Sequence, residues 1–309
     1  MNIRSMPILP ATLLGLAASV AYGALAVAVP TATPLNAAER SVAHPNLPHL
    51  SVAELVARNV AARGGLAAWQ SVRAIEYSGK LDAGVARPDN GLNPASRERL
   101  LSKPAGPRKP GERQEPKAAE GVGGTPIELP YKLVVSRPNK QRLEIQFKDE
   151  TLVQVFDGEH GWKLQPYLHR GGALPFTKDE MRQARQFQDI DGPLINYRAK
   201  GTEVALDGTD LVDGRPAYRL KLTLKSGDVR HLWVDAQSFL DVQIDGSRRF
   251  NGHEVPIYTQ LSDFRRIDGV EVPYRMVTST AGLDDHEKII VDRVDVNPPI
   301  SADLFAKPR

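Results

Sequence analysis

The stretch Ala217–Ile244, AYRLKLTLKSGDVRHLWVDAQSFLDVQI, contains three strand-like runs and both turns that connect them. Tyr218, Leu220, Leu222 and Leu224 alternate with Arg219, Lys221, Thr223 and Lys225. A period of two sends successive side chains to opposite faces, so the run reads as a strand with one apolar and one polar side. Gly227, in Ser226-Gly227-Asp228, adopts positive φ without steric cost, which predicts a tight hairpin into Val229–Asp235. Ala236-Gln237-Ser238 makes the second turn, into Leu240, Val242 and Ile244 with polar Asp241, Gln243 and Asp245 between them. The product is an antiparallel meander whose shared apolar face, floored by Leu220, Leu222, Leu224, Val242 and Ile244, requires a cover.

The same alternation recurs on both sides of the meander. Upstream it marks Ala74–Leu81, where Ile75, Tyr77 and Leu81 alternate with Glu76, Ser78 and Lys80, then Tyr131–Arg137, Arg142–Lys148 with Leu143, Ile145 and Phe147, Thr151–Asp157, and Gly161–Gln165 with Trp162. Gly201–Asp213 precedes the meander, and Val255–Phe264, Val270–Ser279 and Glu287–Asp295 follow it. Ile300–Phe305 reads as a short tail pinned by Leu304 and Phe305.

Two segments carry helical spacing instead. Ser51 and Glu54 form a capping box, with Val52, Leu55, Val56 and Val60 on one face, and Gly64-Gly65 ends that helix. Leu66, Trp69 and Val72 make a further short apolar turn. Thr177 and Glu180 form a second capping box, followed by Met181, Ala184 and Phe187. Asp191-Gly192-Pro193 interrupts that segment, and Leu194, Ile195 and Tyr197 predict its resumption.

Ten to twelve strands with two helical segments fit a sandwich, a closed barrel or an incomplete barrel. The helices favour the last, a mainly β fold with some α: a strongly curved antiparallel sheet forming an incomplete β-barrel lidded by helices. Where such a lid fills the concave side incompletely, the space beneath is a ligand cavity. Tyr77, Phe147, Trp162, Leu220, Leu222, Leu224, Trp233, Val242 and Ile244 are the candidate lining, and Leu55, Val56, Met181 and Phe187 the candidate lid. His231 and Trp233 share one face of their strand and Leu232 and Val234 the other, so this strand can equally be packed on both sides.

The chain divides into a signal peptide (1–28), a flexible lead (29–50) and a single domain (51–309). Arg4 precedes an uncharged, largely apolar run that ends in Ala26-Val27-Ala28, a small-x-small cleavage pattern, with an uncleaved anchor as the competing reading. Residues 82–130 hold eight prolines and seven glycines, a composition that cannot bury enough apolar surface to offset ordering, and read as a disordered insertion. Within it, Arg97–Lys117 has seven Lys or Arg against three Glu, an arm suited to an acidic membrane surface or a partner protein. The whole-chain charge of +3 is too small to argue for nucleic acid. The absence of cysteine removes disulfides, thiol nucleophiles, Cys-ligated metal and lipoprotein-type lipid attachment.

One family resemblance is carried by short motifs in a fixed order. The helix ending in Gly64-Gly65, then Leu66 and Trp69, Phe156-Asp157-Gly158 with Gly161-Trp162, and Val212-Asp213-Gly214 come first. Trp233-Val234-Asp235, Phe264 with Asp268-Gly269-Val270 and Pro273, and terminal Phe305 complete it. The series resembles the periplasmic lipoprotein-carrier superfamily typified by the lipoprotein-sorting protein LolA, except across 82–130. The resemblance implies an incomplete barrel under helices, with a hydrophobic cavity that receives acyl chains.

The sequence contains no nucleophile elbow, Walker loop, HExxH or dinucleotide fingerprint. Asp284-Asp285-His286-Glu287 has metal-ligand residue types, but adjacent turn residues rarely converge on one ion. Asp189 and Asp191 lie at a helix break, where capping is the natural role. The expected protein is therefore a periplasmic binder for a lipid or lipoprotein acyl chain, with neither cofactor nor metal and no enzyme activity. An envelope sensor or protein-interaction module on the same fold is the alternative, and an envelope enzyme the third.

Overall fold

The computed structural model describes residues 47–85, 126–147, 149–166, 172–186, 190–250, 253–281, 286–301 and 303–309. The first strands in the chain are β1 (Ala74–Val85), β2 (Pro126–Ser136), β3 (Lys140–Phe147), β4 (Glu150–Phe156), β5 (Gly161–Leu164) and β6 (Leu174–Pro175). After them come β7 (Glu203–Val212), β8 (Arg215–Thr223), β9 (Val229–Asp235), β10 (Asp241–Phe250), β11 (His253–Ile267), β12 (Val270–Thr280) and β13 (His286–Val296). All thirteen form one antiparallel sheet in the order β6-β5-β4-β3-β2-β1-β13-β12-β11-β10-β9-β8-β7. Every pairing but one joins neighbours in the chain, as expected where short turns follow alternating runs. The exception, β1 with β13, joins the two halves. The edges β6 and β7 do not pair with each other, so the curved sheet is an incomplete barrel. Irregularities at Ser78/Gly79, Leu206/Gly208 and Asp241/Gln243 add the local twist such curvature needs.

One face, here the inner one, carries the helices α1 (Val52–Ala62), α2 (Leu66–Ser71) and α3 (Lys178–Gln186). Cross-strand register assigns its residues: Tyr77 lies beside Leu133 and Val294, and Leu133 beside Leu143. In the meander Leu220 lies beside Leu232, and Leu232 beside Ile244. Two buried clusters result. One spans β1–β4 and β11–β13 under Trp69, Val72, Ile190 and Ile195. The other spans β8–β10 under Leu55, Val56 and Leu194. The outer face has smaller clusters: Phe305 closes over Val134, Val153 and Val155 as the pinned tail predicts, and Val212, Ala217, Trp233 and Val242 pack together.

Both capping boxes form. Ser51 Oγ accepts from Glu54 N–H at 3.2 Å while Glu54 Oε2 accepts from Ser51 N–H at 2.9 Å. Thr177 and Glu180 exchange the equivalent bonds at 3.3 and 2.7 Å.

Four local expectations change. The helix does not resume after Asp191: residues 191–200 run as turns, because Gly192, Asn196 and Gly201 have φ of 75°, 53° and 74°. Leu194 and Ile195 are nevertheless buried. The two-residue strand β6, too short to show alternation, brings the count to thirteen. The end of the expected lead is packed: Leu50 is buried, and Tyr218 Oη donates to the Pro48 carbonyl at 2.9 Å. Strands β1 and β2 also reach into the expected insertion at both ends, with Leu81 beside Leu129, Asp82 beside Glu128 and Val85 beside Pro126. An already registered hairpin extends there despite the prolines, and a composition averaged over 82–130 conceals it. The expected signal peptide (1–28), residues 86–125 with the basic arm 97–117, and Phe187, Asp189, Asp284 and Asp285 lie outside the described residues. Among the described residues, no helix is long and apolar enough to cross a membrane.

Candidate functional site

The inner face and its roof make the site. Helix α1 presents Leu55, Val56 and Val60 to the sheet, and Val60 packs against both apolar clusters, so this helix straddles the seam between them. The same helical stripe continues with Asn59 and Arg63, both fully buried. A buried cation demands partners, and these come from the next helix and from two elements distant in the chain. Arg63 Nη1 donates to the Asp191 carbonyl at 2.7 Å, its guanidinium stacks over Trp69 at 4.7 Å, and its Nε lies 3.6 Å from Asp241 Oδ2. Asn59 Nδ2 donates to Asp241 Oδ1 and to the Phe239 carbonyl, each at 2.8 Å. The Arg63 carbonyl accepts from Trp69 Nε1 and from the Glu271 N–H. Gly192 leaves room for this guanidinium: a Cβ there would sit 2.8 Å from Arg63 Nη1.

Asp191 anchors the other side of the roof. Its carboxylate accepts from Lys200 Nζ at 2.7 Å and from Arg137 Nη2 at 2.8 Å, and Arg137 Nε also donates to the Val72 carbonyl. Asp191 is thus a hub between cations, not the helix cap its place beside Gly192-Pro193 suggests. Burial pushes its pKa up, but Lys200 and Arg137 outweigh burial and hold it below its ordinary 3.8. A depressed carboxylate stabilises the fold above its unfolded pKa and loses that contribution as pH falls through the folded value. Asp191→Asn is therefore expected to lower Tm at pH 7 and to flatten the decline of Tm below about pH 4. Thermal unfolding followed from pH 7 to pH 2 checks it; a decline as steep as that of the unaltered protein would exclude Asp191 as a contributor.

Helix α3 is held differently. Lys163, which lies beside inward-facing Gln154, pairs with Glu180 at 2.6 Å, while Ala184 is buried and Met181 half-buried. The α3 sequence KDEMRQARQ carries few apolar groups, so this end of the roof rests largely on polar contacts.

Of the expected lining, Tyr77, Phe147, Leu220, Leu222 and Ile244 belong to the inner clusters, together with Leu55 and Val56 from the expected lid. Leu224 lies beyond β8 in the turn, half-buried, its N–H donating to the Asp228 carbonyl. Trp162, Trp233 and Val242 are on the outer face. Trp162 pairs with Val155, which packs under Phe305, and Trp233 Nε1 donates to Asp210 at 2.8 Å. Val242 turns outward because the irregularity between Asp241 and Gln243 displaces it from the alternation. Among the polar atoms of the inner face, the Tyr131 hydroxyl is buried in the first cluster with no hydrogen-bond partner among the described residues. Burial pushes the pKa of Tyr131 and of its neighbour Tyr77 far up, so both stay neutral.

No family model and no curated protein matches the sequence. Among solved structures, a DUF1329 family protein from Desulfovibrio piger aligns over 82% of this chain and 96% of its own, at 13% identity and TM-score 0.50. A LolA superfamily protein from Nitrosomonas europaea aligns over 84% of this chain and 99% of its own, at 12% identity and TM-score 0.48. At these identities the likeness concerns architecture alone, an open sheet under helices, and assigns no ligand.

Proposed function

We propose that this protein shields an apolar chain, that of a lipid or a lipoprotein acyl group, between the inner face of its sheet and the helical roof. The observation that carries the reading is how the roof is fastened. Helix α1 bridges two apolar clusters through Val60, while Asn59 and Arg63 tie it to the sheet by polar bonds. Water can replace these polar and ionic partners once the helix lifts, whereas the apolar clusters need another apolar group, so releasing this helix uncovers both clusters at once. The buried Tyr131 hydroxyl supports the same ligand class, since it can donate to the ester carbonyl of an acyl chain. At about 25 cal/mol per Å², burying even part of such a chain contributes several kcal/mol. The basic arm 97–117 and an envelope protein partner are the proposed means of loading, in the periplasm after secretion.

The test is native mass spectrometry and lipid extraction on protein purified from an envelope fraction, with uptake of a fluorescent fatty acid as a second readout. Co-purifying lipid and saturable uptake are expected. Absence of both would remove the carrier reading and leave the protein-interaction module.

A further inference from the structure

On the outer face, away from the helices, the turn of the β7–β8 hairpin leans over the middle of the sheet. Asp213 and Gly214 have φ of 48° and 74°, the left-handed pair of a two-residue hairpin turn, and Val212 lies beside Arg215. Gln260 Nε2 on β11 donates to Asp213 Oδ1 at 3.0 Å and fixes the turn there. Beneath it is a cleft of about 280 Å³ with Val242 and Val277 among its apolar lining and Arg215, Arg275 and Lys288 as its cations. Register explains the convergence. Gln260 lies beside Val277 and Val277 beside Lys288, while Arg275 is one pleat along the same face, beside Ser262.

The three cations share the cleft with one carboxylate, Asp213, which already accepts from Gln260. Lys288 lies 3.6 Å from Asp82. The Arg275 guanidinium has neither an ion pair nor a hydrogen bond among the described residues. A concave site with an excess of one sign of charge and low-dielectric walls concentrates the opposite charge, and a planar guanidinium matches a phosphate through two parallel bonds. The volume falls just below the roughly 300 Å³ at which small-molecule pockets begin, enough for a headgroup-sized anion and not for an acyl chain.

We infer that this outer cleft binds a phosphate group, free or carried on a lipid headgroup, through Arg275 with Arg215 and Lys288. The site is separate from the inner face and stands whether or not a chain is held there.

Two arms test it on the full-length protein. Inorganic phosphate is titrated by calorimetry, and flotation is measured with phosphatidylglycerol vesicles against phosphatidylcholine vesicles. The variant R275Q/K288Q is compared with K221Q/K225Q, which removes the same charge from lysines elsewhere, and circular dichroism verifies that both fold. Saturable phosphate binding, weakened about tenfold or more in R275Q/K288Q and less than about twofold in the control, assigns a free anion. Flotation with phosphatidylglycerol alone, lost in R275Q/K288Q and kept in the control, assigns a lipid headgroup. Absence of both interactions, or equal losses in the two variants, would overturn the site.

Discussion

Replacing Asp241 with asparagine is expected to lower the unfolding free energy by about 3–5 kcal/mol, because it takes the carboxylate away from a buried cation. Asp241 and Arg63 are both fully buried, with Arg63 Nε 3.6 Å from Asp241 Oδ2. The substituted amide keeps the size of the carboxylate and an oxygen for Asn59, but it carries no charge to set against the guanidinium. The Asp191 carbonyl and the Trp69 ring, which remain beside Arg63, supply only dipole and quadrupole in its place. Arg63→Met makes the converse defect, a buried carboxylate without its cation. The double variant R63M/D241N removes both charges, and paired removal of buried ions is commonly far milder than loss of one partner. A double-mutant cycle by urea unfolding should therefore show both single variants worse than the double. Each single variant should lose on the order of 10 °C in Tm. Additive losses below about 1 kcal/mol would show that the ion pair does not fasten the roof. Shielding of an apolar chain adds a second readout. With α1 less firmly tied, the single variants should bind more of an apolar fluorescent probe at temperatures well below their Tm.

Gly64→Ala is the second large effect. Gly64 ends the first helix at φ 109°, in the left-handed region, and its backbone meets the β11–β12 turn so closely that a Cβ would run into the Gly269 carbonyl oxygen. Both obstacles are backbone, so rotamer changes offer no relief. The helix corner must move away from the sheet, which stretches the Glu271 N–H bond to the Arg63 carbonyl and weakens the other contacts of Arg63. A loss of at least about 3 kcal/mol is expected. Gly65 is the internal control. It too has positive φ, 89° with ψ 161°, but a Cβ there meets nothing within 4 Å, so Gly65→Ala should cost only the backbone strain, about 1–3 kcal/mol. Equal losses for the two alanine variants in equilibrium unfolding would show that close approach to Gly269 is unimportant.

Residues governed by near neighbours were legible without coordinates. Ser51 with Glu54 and Thr177 with Glu180 act across three positions, and a strand's alternation is visible within five residues. The buried polar network was not legible in the same way, although a signal for it existed. Asn59 and Arg63 continue the stripe of Leu55, Val56 and Val60, and polar residues on a buried stripe must have partners. Their identity was hidden because Asn59 meets Asp241 across 182 positions and Arg63 meets Asp191 across 128. The outer cleft was hidden for the same reason, since β7–β8, β11, β12 and β13 each contribute part of it.

By itself, the amino-acid sequence determined a mainly antiparallel β protein with capped helices placed before and within the strands, because periodicity and capping are local consequences of residue order. Only the tertiary structure decided which face of each strand the helices cover. Alternation separates Trp233 from Val234 and Trp162 from Lys163, but where both faces carry large apolar groups it does not say which is inside. That choice belongs to sheet curvature, to the irregularity that turns Val242 outward, and to the seating of α1 on the meander, where Leu55 and Val56 meet Leu220, Leu222 and Ile244.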